Sequence, residues 1–174
     1  EEAAVSGDEL LVALGRRPNA DVLDVEAAGI ETDDRGFIET DDQLRTSADN
    51  VWAQGDIAGN MMFKHSGDFE TRITIDNVVH GEGREADFTA TPHAIFTEPQ
   101  MSGVGKTEQE LREEDTDYVV GQQSIPETPM GRAKKLDHGF VKVLAAPDGE
   151  ILGCHILGYE ASTMIHEVVV AMRA

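Results

Sequence analysis

The stretch FVKVLAAPDGEILGCHIL, residues 140–157, decides the second half of the chain. Two apolar runs, Phe140–Ala145 and Ile151–Leu157, flank Pro147-Asp148-Gly149. Proline presets the backbone for a turn, and glycine supplies the left-handed conformation that closes it. The two runs are therefore predicted to pair as an antiparallel hairpin.

Working outward, the segment after the hairpin is the clearest helix in the chain. Ala161, Met164, Ile165, Val168, Val169 and Met172 recur at helical spacing, which lines one face with apolar side chains. It carries no stop signal. On the other side, His93–Thr97, Met101–Val104 and Tyr118–Ser124 read as short strands. Thr107-Glu108-Gln109-Glu110 is a capping-box pattern that opens a short helix, with Thr107 as the N-cap. Residues 89–174 thus read as an α+β domain.

The first half is less regular. Glu1–Asp8 is polar and acidic. Glu9–Leu14 (ELLVAL) reads as a buried strand, followed by a loop at Gly15-Arg16-Arg17-Pro18-Asn19. A strand so placed needs partners, and the expectation is that they lie upstream. Gly36–Thr40 reads as an exposed strand, and Asn50–Ala53 as a short buried one ending at Gln54-Gly55-Asp56. A helix is expected from about Ser66 to Val79, with Phe69, Ile73 and Val78 or Val79 near one face and Gly81 as its C-cap. Gly81–Thr91 is a polar hinge, which places the domain boundary between residues 1–88 and 89–174.

Bulk composition narrows the function. Of 174 residues, 34 are acidic and 14 basic, for a net charge of −20. Nucleic acid and anionic membranes would be repelled. The acids are spread along the chain rather than blocked into a tail. Such a surface suits concentrated salt, where the screening length falls to about 3 Å at 1 M and self-repulsion is weak. Adaptation to high salt is therefore expected. No apolar run reaches the roughly 18 residues of a membrane span, and the chain opens on no signal peptide. Cys154 is the sole cysteine, so no internal disulfide can form, and a reducing, cytoplasmic location is expected.

Candidate chemistry requires sorting. SGVGKT (102–107) resembles the end of a phosphate loop, but the first glycine of that motif would fall at position 100, which is Gln100. A tight turn into a capped helix is the better reading. His65, His80, His93, His138, His155 and His166 show no ligand spacing, so no metal site is expected. Trp52 reads as core. Cys154 sits in an apolar hairpin strand, where a thiol is a small buried side chain rather than a redox group. Gly55 and Asp56 are different. Glycine allows a ligand close to the backbone, and a carboxylate at the end of a strand can accept hydrogen bonds from sugar-like hydroxyls. Alone the pair reads more often as a turn.

The pair does not stand alone. LLVALGRRPN (10–19), Arg45-Thr46-Ser47 and NVWAQGDIAG (50–59) resemble the signature of the flavoprotein disulfide reductases of the dihydrolipoamide dehydrogenase and mercuric reductase type. TPHAIFTEP (91–99), GVGKTEQE (103–110), GFVKV (139–143), ILGCHILG (151–158) and ASTMIHE (161–167) resemble the interface domain of the same family, in order, so the likeness covers nearly the whole chain.

The resemblance implies an α+β chain. Its first part would be a partial FAD/NAD-binding α/β segment: the tail of the NAD domain and the C-terminal part of the FAD domain. Its second part would be the dimerisation domain. It implies FAD and NAD(P) as cofactors, a homodimer through residues 89–174, and a small disulfide as the parent enzyme's substrate. Asp56, after Gly55, matches the aspartate that binds the ribityl chain of FAD. Met62, Phe63, Lys64 and His65 match the stretch whose backbone amides face the pyrimidine edge of the flavin, where a helix start would favour the reduced, negatively charged ring. Lys64-His65-Ser66 and DFETRI (68–73) depart from common lipoamide dehydrogenases, which leaves lipoamide, another small disulfide or mercuric ion open as substrate. The family's redox cysteine pair, its glycine-rich loops and its His-Pro motif are absent from these 174 residues. The expectation is a catalytically inactive fragment. The alternative is a stand-alone, non-catalytic dimerisation module.

Overall fold

The computed structural model describes residues 6–174 and divides them into two compact units, one through Ala86 and one from Asp87 to Ala174. Of Glu1–Asp8, residues 1–5 lie outside the described residues. The fold class is α+β, with helices and an antiparallel sheet.

The first unit is built mainly of turns. It contains α1 (Ala20–Leu23), two 3-10 turns (Val25–Ala28 and Gly55–Ile57) and α2 (Lys64–Ile75), which widens into a π turn at Asp76–His80. Its core gathers Ala20, Val25, Ile30, Ile38, Ala53 and Ala58. Three sequence expectations change here. Glu9–Leu14 is not a buried strand: Leu10, Leu11 and Leu14 are 87%, 89% and 95% exposed, and no described strand pairs with them. An apolar run lacking a neighbouring ladder leaves its backbone groups to water instead of a sheet. Gly36–Thr40 contributes a single bridge, Thr32 to Ile38, and Phe37 and Ile38 are buried rather than exposed. Asn50–Ala53 likewise contributes one bridge, Arg45 to Trp52, with Ala53 buried and Trp52 half-buried.

Helix α2 begins two residues earlier than read, with Phe63 as its N-cap. Ile73 is buried, but Val78 and Val79 are exposed. The π turn explains this, because an extra residue per turn rotates the following side chains off the buried face. Gly81 terminates the segment as expected, with φ 66° and its N–H donated to the Asn77 carbonyl at 3.2 Å.

The second unit follows the sequence reading closely. Its strands are β1 (His93–Ile95), β2 (Gln100–Gly105), β3 (Val119–Ser124), β4 (Phe140–Ala145) and β5 (Ile151–Gly158). They form one antiparallel sheet in the order β1-β2-β5-β4-β3. β4 and β5 are the predicted hairpin, and a register shift at Leu144/Ala145 lets the Ala146–Gly149 turn close. The sequence reading did not include α4 (Pro129–Lys134), whose signals are a Thr128 cap and Pro129 in its first turn.

Helix α5 (Ala161–Arg173) covers one face of this sheet. Ala161 and Ile165 pack into a core with Val104, Cys154 and Ile156, flanked by Val141 and Val143. The helix start has no cap of its own, since Glu160 adopts a left-handed conformation and makes no side-chain cap bond. Two β2 side chains hold it instead. Gln100 Oε1 accepts from Ser162 N at 3.2 Å and from Ser162 Oγ at 2.8 Å, while Ser102 Oγ donates to the Ala161 carbonyl at 2.8 Å. The phosphate-loop lookalike is thereby accounted for: its residues form the end of a paired strand.

Helix α3 (Glu108–Glu113) opens with the predicted capping box between Thr107 and Glu110. Glu108 pairs with Lys142 on β4 and with Arg112, and accepts from the Tyr118 hydroxyl at 2.9 Å. The Lys142 hydrogen bond, then Tyr118, then the Arg112 charge hold its carboxyl down at about 2, against an ordinary 4.5. A depressed carboxylate stabilises the fold above its unfolded pKa and loses that contribution as pH falls through the folded one. Acid titration should therefore remove stability between about pH 4.5 and 2. Glu108→Gln should flatten that limb in a melting-temperature profile; an unchanged limb counts against the assignment.

Candidate cofactor-binding turn

The chain from Gln54 to Asn60 turns through the 3-10 segment Gly55–Ile57. Gly55 has φ 74°, a conformation that favours glycine, and no atom lies within 4 Å of where its Cβ would be. That side of the turn is open to a ligand. Asp56 follows at once, 59% exposed in its side chain. Its Oδ2 accepts from Arg16 Nη1 at 2.8 Å, and the same Arg16 nitrogen donates to the Met62 carbonyl at 3.2 Å. One arginine therefore ties Asp56 to Met62.

These residues border a cleft of about 470 Å³, lined by Arg16, Pro18, Asn19, Phe37, Asp56 and Met62 among others. The 12-residue helix α2 starts just beyond it. Phe63 is its N-cap, with an extended backbone and no side-chain cap bond of its own. The first N–H groups of the helix and its dipole make the start electropositive. Lys64 adds a cation, ion-paired to Asp68 one turn on. Phe63 and His65 stack with ring centroids 5.6 Å apart and planes 19° apart.

The helix start and the turn are close neighbours, since a Cβ on Gly67 would lie 3.7 Å from the Gly55 Cα. Glu70, one turn further along α2, reaches back under the turn. Its carboxylate accepts the Gly55 N–H and the Asn60 side-chain amide, the latter at 3.3 Å. Burial raises the Glu70 pKa; the two hydrogen bonds oppose that shift and the nearby Asp56 charge adds to it.

Asp56 and Met62 thus meet at Arg16, Gly55 is held by Glu70, and Lys64 and His65 occupy the first turn of α2 behind its Phe63 cap. The sequence reading had not singled out Arg16, Asn60 or Glu70 for the site. Arg16 lies within the quoted LLVALGRRPN string, but nothing local to Asn60 or Glu70 signals a partner in the turn. Chemically, the arrangement offers a carboxylate acceptor, an open glycine face and an electropositive helix start. That set fits an elongated, hydroxyl-bearing ligand with a group that gains negative charge. Among the described residues, no three His, Cys, Asp or Glu side chains converge on a point that would hold a metal ion.

The sequence and the fold agree with one class of protein. Residues 1–87 match the pyridine nucleotide-disulphide oxidoreductase family, and residues 91–174 match its dimerisation domain. The chain belongs to the pyridine nucleotide-disulphide oxidoreductases. It is 38% identical over 175 residues to the dihydrolipoyl dehydrogenase of Bacillus subtilis, covering 99% of this chain and 37% of that protein. The dihydrolipoyl dehydrogenase of Halobacterium salinarum is also 38% identical, over 99% of this chain and 36% of its own length. Among solved structures, the Cu(II) complex of the HOCl-induced flavoprotein disulfide reductase RclA from Escherichia coli superposes with a TM-score of 0.84 at 34% identity. That match covers 99% of this chain and 40% of RclA. The chain thus spans little more than a third of the length of these curated relatives.

Proposed function

We propose that these residues form the flavin-contacting and dimer-forming portion of an FAD-dependent NAD(P)H:disulfide oxidoreductase, most like dihydrolipoyl dehydrogenase. The observation that carries this reading is the Gly55–Asp56 turn, open on its glycine side and adjacent to the start of α2. Asp56 Oδ1 is available to ribityl hydroxyls, because Arg16 engages Oδ2. Met62, Phe63, Lys64 and His65 carry the chain into the electropositive helix start, which would face the pyrimidine edge of the isoalloxazine ring. Bound FAD supplies two-electron transfer between a nicotinamide and a disulfide. The chain's own part is to orient the flavin and bias its charge. Residues 89–174 would form the homodimer interface.

These 174 residues bring no redox dithiol, since Cys154 is their sole cysteine and is fully buried. Taken alone they are therefore inactive in this reading. The parent's disulfide remains one of several small substrates. Lipoamide has the support of the dihydrolipoyl dehydrogenase relatives. The α2 segment DFETRI differs from common lipoamide dehydrogenases, which keeps other disulfides and mercuric ion among the compounds to assay.

The test is flavin binding by the full-length protein. Asp56→Ala removes hydrogen bonds to a charged acceptor, so FAD affinity should fall by about tenfold to a hundredfold. Flavin fluorescence titration reads this directly, and an unchanged affinity would sink the proposal.

We also propose that the acidic surface is an adaptation to concentrated salt. It rests on the net charge of −20 spread over both halves of the chain. Raising KCl from ~0.1 M to ~2 M compresses the screening length and should raise the melting temperature. A melting temperature that holds steady or falls would argue against it.

A further inference from the structure

Glu70 is a carboxylate at a core position of a helix, with no exposed surface at all. Its two oxygens accept from Gly55 N and from Asn60 Nδ2, which stand at the two ends of one turn. Asp56 is the second residue of that turn. A single buried group therefore fixes the span that presents Asp56 to the cleft.

We propose that Glu70 is a positioning residue for flavin binding, holding the Gly55–Asn60 turn in the shape that aims Asp56 at the ribityl hydroxyls. The inference rests on the flavin reading given above. It deepens that reading by naming a group that touches no ligand and acts through the turn.

Energetics separate this role from a structural one. Burial raises the Glu70 pKa, and the Asp56 carboxylate in the turn adds to the rise. Of the two arginines that line the cleft, Arg16 is engaged with Asp56. A carboxyl whose folded pKa is raised stabilises the fold most while protonated, at low pH. That contribution is lost as pH rises through the raised value. The ionised form thus works against folding. An ionised carboxylate is costly to bury without a cation beside it. Stability does not explain a glutamate here, whereas tethering two donors of one turn does.

The experiment uses the full-length flavoprotein with Glu70→Leu, Glu70→Gln and Asp56→Ala, measuring FAD affinity and the melting temperature of each apoprotein. Glu70→Leu leaves the Gly55 N–H without its acceptor, so it should melt only a few degrees lower than wild type yet bind FAD about tenfold more weakly or worse. Glu70→Gln keeps an amide oxygen for the Gly55 N–H and should recover most of that loss. Wild-type affinity in Glu70→Leu overturns the proposal. So does a Glu70→Gln variant as weak as the leucine one, or a marked fall in the melting temperature of Glu70→Leu, which would make Glu70 a purely structural group. Asp56→Ala separates the two levels. If it binds FAD normally, the flavin reading itself fails; if it loses FAD while Glu70→Leu does not, only the positioning role fails.

Discussion

Gly153→Ala should destabilise the second unit by about 3 kcal/mol, near the upper end of what overpacking costs. Gly153 on β5 stands opposite Gly105 on β2. A Cβ at Gly153 would lie 2.1 Å from the Lys106 carbonyl oxygen and 3.0 Å from the Lys106 nitrogen. Both are backbone atoms, so no side chain can rotate away. That nitrogen donates to Leu152 O at 2.9 Å, and that oxygen lies 3.0 Å from His155 Nε2, so any retreat also strains these contacts. The opposite glycine offers no relief, because a Cβ on Gly105 would sit 2.3 Å from Leu152 O. Gly121→Ala on β3 is the matched control. No atom lies within 4 Å of its Cβ position, so its effect should stay within about 0.5 kcal/mol. Urea unfolding followed by circular dichroism compares them. Coincident midpoints would show that the two strands have room to part.

Ile165→Ala is the second large effect, expected at about 2–5 kcal/mol. Ile165 is 1% exposed and packs in the cluster with Val104, Cys154 and Ile156. Helix α5 depends heavily on this contact. Its N-cap contributes no side-chain bond, and its start is held by Gln100 and Ser102 from β2. Short helices in water are marginal, and most of their stability comes from the packed face. Loss of the Ile165 side chain should therefore loosen α5 as well as leave a cavity. A thermal melt that matches wild type would mean the site collapses freely around the alanine.

The two halves of the chain were unequally legible, and for physical reasons. In the second unit each element carries its own signal: Pro147-Asp148-Gly149 for the hairpin, Thr107 to Glu110 for α3, and period 3.6 for α5. Those signals are local, and the tertiary fold agrees with them. In the first unit the elements other than α1 and α2 are mainly single bridges and 3-10 turns, whose positions depend on tertiary contacts. ELLVAL shows the difference. Apolar content records that a segment favours burial, but a strand needs a neighbour, and none is paired with it among the described residues. The Gly55–Asp56 pair was legible only through the longer pattern around it. Glu70 was not legible, because a glutamate within a helix reads as a solvated side chain until the turn beneath it is seen. Gln100 was read as the residue that breaks a phosphate loop, and its positive role, holding α5, depends on a partner 62 residues away.

The chain has one tryptophan and one cysteine, and they fall in different units: Trp52 in the first and Cys154 in the second. Cys154 has no exposed surface, and burial raises its thiol pKa. A thiol reagent therefore reaches it only when β5 opens. With dilute reagent, the labelling rate reports how often the open form is populated; with excess reagent, it reports how fast the sheet opens. Trp52 fluorescence follows the first unit over the same interval. The wild-type sequence thus carries a separate reporter for each unit, and whether the units come apart together or in turn can be timed without adding a label.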